Sequence, residues 1–205
     1  MKDVLNFRLV RPYTPPMHDA LTRLLEEVEA LRTGHFLLTS GNHSPYYLEK
    51  FRILERPDLL ARFVQASLAR LRALRPTVVV GPTTGGVLVA YEVARQLQIR
   101  AYYAERRLEG GRELRRGFRF SVEDRVLLAD DILTTGTSLQ ETREAVERLG
   151  GKVVGAFVLI RRGDPHAFTW PVVSSLELDL PIYTPDACPQ CREGQPLERP
   201  GKGST

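Results

Sequence analysis

Apolar and polar positions follow two rhythms along this chain, and the change between them divides it. Between His18 and Arg32, leucine or valine recurs at 21, 24, 25, 28 and 31, a single stripe at the helical period. That pattern predicts an amphipathic helix ended by Gly34. A polar, turn-rich stretch follows, Thr39-Ser-Gly-Asn-His-Ser-Pro45, leading to the pair Tyr46-Tyr47. Pro57 suits a first helical turn, and Leu60, Phe63, Val64, Leu68, Leu71 and Leu74 give the helix after it a buried face. From Thr77 onward short aliphatic runs take over. Residues 77–80, 99–104, 125–129 and 152–160 read as strands, and 87–97 and 138–149 between them read as helices. This alternation requires right-handed crossovers and a parallel sheet with helices on both faces, an α/β fold. The chain reads as one domain over 1–205: an N-terminal helical segment (1–76), the α/β core (77–180) and a loop-like tail (181–205).

In such sheets ligands bind at the carboxyl ends of the strands. Three consecutive strand ends carry unusual loops here, 81–86, 105–117 and 130–137, so the site is expected among them. The most informative stretch is Val126-Leu-Leu-Ala-Asp-Asp-Ile-Leu-Thr-Thr-Gly-Thr-Ser138. An apolar strand delivers two adjacent carboxylates, and a loop of hydroxyls and glycine then opens a helix. Free amides and hydroxyls at a helix N-terminus make a monophosphate cradle. Ser138 and Glu141 have the spacing of a capping box, which puts the helix start at Ser138. Asp130 and Asp131 repel phosphate; they suit vicinal hydroxyls or a divalent cation. Phosphate, diol and metal together describe a ribose 5-phosphate. Neither a Walker loop nor a G-x-G-x-x-G fingerprint is present.

Composition narrows the setting. The 205 residues are 42% hydrophobic and 26% charged, as in an ordinary globular protein. No apolar run reaches eighteen residues, and the first sixteen lack the apolar stretch of a secretory signal. A cytoplasmic protein acting away from membranes is expected. The formal net charge of +4 equals the excess of six Arg over two Glu between Arg106 and Arg119. The basic character is therefore local, which suits a small polyanion better than a nucleic acid.

Residues 126–138 resemble the phosphoribosyl-pyrophosphate signature of the type I phosphoribosyltransferases. Gly34-His-Phe-Leu-Leu-Thr-Ser-Gly-Asn-His-Ser-Pro-Tyr-Tyr47 resembles the orotate-site segment of the orotate branch of that family, and Gly81-Pro-Thr-Thr-Gly-Gly86 resembles its pyrophosphate loop. The resemblance implies a parallel sheet flanked by helices with an N-terminal hood, and transfer of the phosphoribosyl group to orotate, giving orotidine 5′-phosphate and pyrophosphate in pyrimidine biosynthesis. It implies Mg²⁺ bound through the substrate with Asp130 and Asp131 nearby, and a homodimer with shared sites. By the same resemblance Ile132, Leu133, Thr134, Thr135, Gly136, Thr137 and Ser138 wrap the 5′-phosphate, while Thr83 and Thr84 face the pyrophosphate. Arg106 and Arg107 reach that pyrophosphate, in the partner's site, and Thr134, Arg162, Thr39 and Tyr46 contact orotate.

The best-known members carry two lysines and a histidine in a catalytic loop; the segment Glu109–Gly117 has neither, and holds Arg112, Arg115 and Arg116 instead. Thr39 and Gly85 likewise stand where lysines are usual. Arginine clamps phosphate but is no general acid at neutral pH, so a lid that works electrostatically is expected here, with Arg112, Arg115 and Arg116 as the candidates for its closing cation. A purine or uracil phosphoribosyltransferase shares the phosphate motif, and a regulator that senses phosphoribosyl pyrophosphate without catalysis is the reading from another class. Cys188-x-x-Cys191 is half of a zinc knuckle; with no second pair nearby, packing or redox-inert thiols are expected, a zinc requiring recruited histidines or a site shared between subunits. His43 reads as a turn histidine bonded to backbone, and His18 and His166 as surface residues.

Overall fold

A computed structural model describes residues 20–162 and 168–200. His18, His166 and the first sixteen residues lie outside the described residues. Helix α1 spans Ala20–Glu27 and strand β1 Leu31–Leu37, so the helix expected as far as Arg32 stops a turn early. Glu29 takes the left-handed conformation (φ 55°), and Ala30 N–H bonds Leu25 O at 2.8 Å while Glu29 N–H bonds Glu26 O at 3.0 Å. These two bonds close the helix in a Schellman motif. Gly34 lies within β1 and ends nothing.

Strand β2, His43–Leu48, pairs antiparallel with β1, so the N-terminal region carries a hairpin beside its helices. Short helix α2 (Phe51–Leu54) leads to α3 (Pro57–Ala73), with Pro57 in its first turn. Strand β3 (Val78–Pro82) is followed by α4 (Gly85–Leu97) and β4 (Arg100–Arg106). A two-residue strand, β5 (Arg112–Glu113), precedes β6 (Arg125–Leu133), α5 (Thr137–Glu147), β7 (Lys152–Arg161) and β8 (Val172–Glu177). The tail, expected to be loop, contains a 3₁₀ turn (Pro185–Ala187) and α6 (Pro189–Arg192). The main sheet runs β5-β4-β3-β6-β7-β8, parallel except for β5 at its edge.

The period-two pattern of the strands fills both faces. Val79, Leu127, Phe157 and Leu159 pack with Phe63, Leu71, Val89 and Val93 of α3 and α4. Val78, Val80, Val126, Leu128 and Val158 pack with Leu139 and Val146 of α5. The helices expected on both faces are present. Leu25, Ala30 and Leu48 belong to the larger of these clusters, so the hairpin end rests on the same core as the sheet.

Candidate active site

Strands β3 and β6 pair only as far as Val80 and Leu128. Beyond that point β3 stays with β4, through Pro82 opposite Ala104, and β6 stays with β7, through Leu133 opposite Arg161. A crevice opens between them, at the place where the chain switches from building the sheet leftward to building it rightward, the position that binds ligands in open α/β sheets.

Asp130 and Asp131 stand at its floor. Strand β6 runs four residues past the predicted end at Ala129, so both lie in extended backbone and face opposite sides of the sheet. Each carboxylate is buried and accepts the next backbone N–H, Asp130 Oδ1 from Asp131 at 2.9 Å and Asp131 Oδ1 from Ile132 at 2.7 Å. Asp131 Oδ2 also accepts from Lys50 Nζ at 2.8 Å. On the same side the backbone of Gly85 comes so close that a Cβ there would lie 1.8 Å from Asp131 Oδ2. Burial and then the Asp131 charge push Asp130 up to about 7, with Lys50 and Arg112 offsetting only part of the rise.

Among the described residues, no turn or loop hydrogen bond uses the backbone N–H of Thr134, Thr135, Gly136 or Thr137. Gly136 is left-handed (φ 79°) and caps α5, which starts at Thr137. A Cβ on Gly136 would lie 2.1 Å from the Phe168 ring, so the turn needs glycine. The capping box expected at Ser138 and Glu141 does not form. Both side chains face Arg112 instead, Ser138 Oγ accepting from Nη2 at 2.9 Å and Glu141 Oε2 lying 3.4 Å from Nε.

Arg112 is the hub of the site's support and is no lid residue. It is 3% exposed, and its Nη1 also reaches Thr83 O at 3.2 Å, Thr83 Oγ1 at 3.3 Å and Ala104 O at 3.5 Å. One guanidinium thus ties the loop after β3, the end of β4 and the start of α5. The segment expected as an open lid is a hairpin: Arg106 pairs with Arg112 across β4 and β5, and Arg107 N–H bonds Gly111 O at 3.1 Å. Arg115 and Arg116 do lie outside, paired with Glu113 and Glu105. Arg106 and Thr84 are exposed, and Arg107 bonds Glu109 at 2.9 Å near the hairpin tip. The Thr83–Thr84 peptide bond is cis.

Arg162 follows β7, and its N–H bonds Leu133 O at 2.8 Å, which fixes it beside the helix-opening loop. Its side chain is half-buried, burial lowers its pKa, and Nη2 has no partner among the described residues. The hydrogen-bond network of Thr83, Arg112 and Ser138 does not extend to Thr39, which stands exposed in the turn between β1 and β2. Tyr46 lies on β2, partly buried against the larger core cluster. Burial there raises its hydroxyl pKa, with a smaller push from Tyr183.

Lys50 lies in no motif, so the sequence pattern does not mark it. The signal available is rarity, since only four of the 29 basic residues are lysine.

Three comparisons bear on this geometry. Residues 58–169 match the model of the phosphoribosyl transferase domain family. The chain is 40% identical over 184 residues to an orotate phosphoribosyltransferase of Caldanaerobacter subterraneus, covering 89% of this chain and 96% of that one. Among solved structures it is similar to an orotate phosphoribosyltransferase from Aeropyrum pernix, with TM-score 0.65 and 26% identity, over 77% of this chain and 93% of the other. An adenine phosphoribosyltransferase from Rhodothermus marinus superimposes with TM-score 0.57 and 25% identity, over 77% and 99% of the two chains.

Proposed function

Since the chain belongs to the orotate phosphoribosyltransferase family, we propose that the crevice between β3 and β6 moves the phosphoribosyl group of phosphoribosyl pyrophosphate onto orotate, yielding orotidine 5′-phosphate and pyrophosphate. The observation that carries this is one crevice holding two buried carboxylates and, among the described residues, a helix N-terminus with unused amides and an arginine with an unpaired buried nitrogen.

We assign the 5′-phosphate to the amides and hydroxyls of residues 132–138 and the helix end behind them. The ribose hydroxyls donate to Asp130 and Asp131. Carboxylate oxygens are also what a divalent cation takes as ligands, and Asp130 and Asp131 would offer them from opposite sides of the strand. Mg²⁺ bound with the substrate would neutralise charge on the departing pyrophosphate. Arg162 takes the orotate carboxylate, aligning the ring nitrogen with C1 of the ribose. As the bond from C1 to pyrophosphate breaks, positive charge grows on the sugar and negative charge on the leaving group. Lys50, Arg106 and Arg107 supply fixed positive charge to the latter. Arg115 and Arg116 act as the closing cations, exchanging Glu113 and Glu105 for pyrophosphate oxygens and excluding water. Lys50, reaching in from a neighbouring element, stands in for the lysine that Gly85 lacks.

Phosphoribosyl pyrophosphate and the nucleotide product are both polyanions that do not cross membranes unaided, which supports a cytoplasmic location. No described helix is long and apolar enough to span one. We further propose a homodimer: Leu88 and Tyr91, one turn apart on α4, are exposed together, and in such a dimer Arg106 and Arg107 would serve the partner's site. Light scattering at working concentration gives twice the chain mass if so.

The deciding assay follows orotate absorbance on adding phosphoribosyl pyrophosphate and Mg²⁺, with uracil, hypoxanthine and adenine in parallel. Turnover with orotate alone is expected, and turnover with a purine would overturn the assignment. Arg162→Ala is expected to raise KM for orotate about tenfold to a hundredfold, the worth of a hydrogen bond to a charged group. KM for phosphoribosyl pyrophosphate should stay within about twofold. Gly85→Ala should lower kcat/KM about tenfold, some 1.4 kcal/mol, by displacing Asp131 from Lys50. Circular dichroism should be unchanged in that variant.

A further inference from the structure

Away from the crevice, where the hairpin meets the tail, four side chains converge that lie far apart in the sequence. His35 Nε2 lies 3.1 Å from His43 Nδ1. Cys188 Sγ lies 3.4 Å from His35 Nε2, and Cys191 Sγ lies 3.6 Å from His35 Nε2 and 3.2 Å from His43 Nδ1. All four ligand atoms lie within 4.8 Å of one another. His35, His43 and Cys188 are buried, and neither cysteine is in a disulfide. Among the described residues, the His43 ring therefore meets His35 and Cys191 in place of the expected bond to backbone.

We propose that these four residues bind a structural zinc ion. The edges of a tetrahedron around zinc are about 3.3 Å between two nitrogens, about 3.5 Å between nitrogen and sulfur and about 3.8 Å between two sulfurs, with Zn–N near 2.0 Å and Zn–S near 2.3 Å. Four of the five nitrogen–nitrogen and nitrogen–sulfur separations, 3.1, 3.4, 3.6 and 3.2 Å, lie within about 0.3 Å of those edges. Protonation agrees. His35 Nδ1 faces the carbonyl of Gln195 at 3.0 Å and donates to it, which leaves Nε2 a bare lone pair aimed at the cluster. A carbonyl placed behind the ring in this way orients a metal-binding histidine. Two thiolates balance the charge of Zn²⁺, so the loaded site is neutral, as a buried site needs to be; loading releases the two thiol protons.

The position gives the ion a purpose. His35 and His43 come from the two strands of the hairpin, and both cysteines come from the tail around α6. Backbone bonds already join these parts: His43 with Tyr183 in both directions at 2.8 Å, Leu37 N–H to Glu198 O and Glu198 N–H to His35 O, each 2.8 Å. The zinc would lock the tail onto the hairpin whose turn carries Thr39 and whose second strand carries Tyr46.

The test uses the full chain purified without chelator or affinity nickel. Elemental analysis should find about one zinc per chain. Replacing zinc by cobalt should give the thiolate-to-cobalt charge-transfer band and the intense visible bands of four-coordinate cobalt. Cys191→Ser alters the most exposed ligand and should fold; it should lose most of the zinc and weaken the charge-transfer band. Three results would overturn the proposal: a wild-type chain that takes up neither zinc nor cobalt when reduced, cobalt spectra without a thiolate band, or unchanged metal content in Cys191→Ser.

Discussion

Arg112→Ala is expected to destabilise the protein by about 3 kcal/mol and to lower kcat/KM roughly a hundredfold. Truncation leaves Thr83 O, Ala104 O and Ser138 Oγ without a donor they now share, and leaves Glu141 without its cation. Because the guanidinium joins three loops that approach the crevice from separate strands, its loss changes their spacing, and displacements of about 1 Å at a reacting centre have costs of that size. Arg112→Lys should behave almost as badly, since one ammonium cannot serve Thr83 and Ser138 together. Arg115→Ala and Arg116→Ala form the contrast. Their ion pairs are largely open to solvent, so each should change stability by less than about 0.5 kcal/mol while lowering kcat. Urea unfolding beside steady-state kinetics separates the two behaviours. If Arg112→Ala unfolded at the wild-type midpoint, its role as support would be wrong; if both outer variants kept full kcat, the closing role would be.

Asp130→Asn is expected to lower kcat/KM a hundredfold to a thousandfold and yet to stabilise the unliganded protein at alkaline pH. In the folded chain this carboxyl titrates near 7, against an ordinary value of 3.8. Between those values the folded state keeps a proton that the unfolded state has released, so the group's contribution to stability falls as pH rises through the window. It levels off above about 7, where the loss approaches 4 kcal/mol at most. The asparagine variant lacks that slope and should out-melt wild type at pH 8 but not at pH 4. Substrate with Mg²⁺ favours the ionised form, so binding should tighten as pH rises toward 7 and release a proton. Thermal melts across pH with and without phosphoribosyl pyrophosphate check both. Equal slopes for variant and wild type would refute the assignment of the titration to Asp130.

Much of this is legible in the residues because period and burial agree. The runs 77–80, 125–129 and 152–160 are strands, and the string 126–138 marks the crevice, since an apolar strand leading into carboxylates and then into glycine and hydroxyls has few other uses. The misreadings share a cause. Glu29 ends the first helix in the left-handed conformation usually reserved for glycine, so composition holds no stop signal and that helix reads too long. Ser138 and Glu141 have capping spacing, but a buried arginine 26 residues upstream competes for the serine and wins. The Cys-x-x-Cys pair looks incomplete because its complement, His35 and His43, lies about 150 residues away and meets it only through the fold.

That same long closure between hairpin and tail sets an order of assembly. Strands β3 to β8 and the helices between them occupy one continuous stretch, 78–177, that ends before the tail begins. His35 and His43 wait for residues 181–198, which a ribosome delivers only after the core. During synthesis the strands that line the crevice therefore leave the ribosome before the tail that backs the hairpin. A nascent chain passes through an interval in which the sheet is all present while the hairpin still lacks the tail that completes its backbone bonds and its metal cluster.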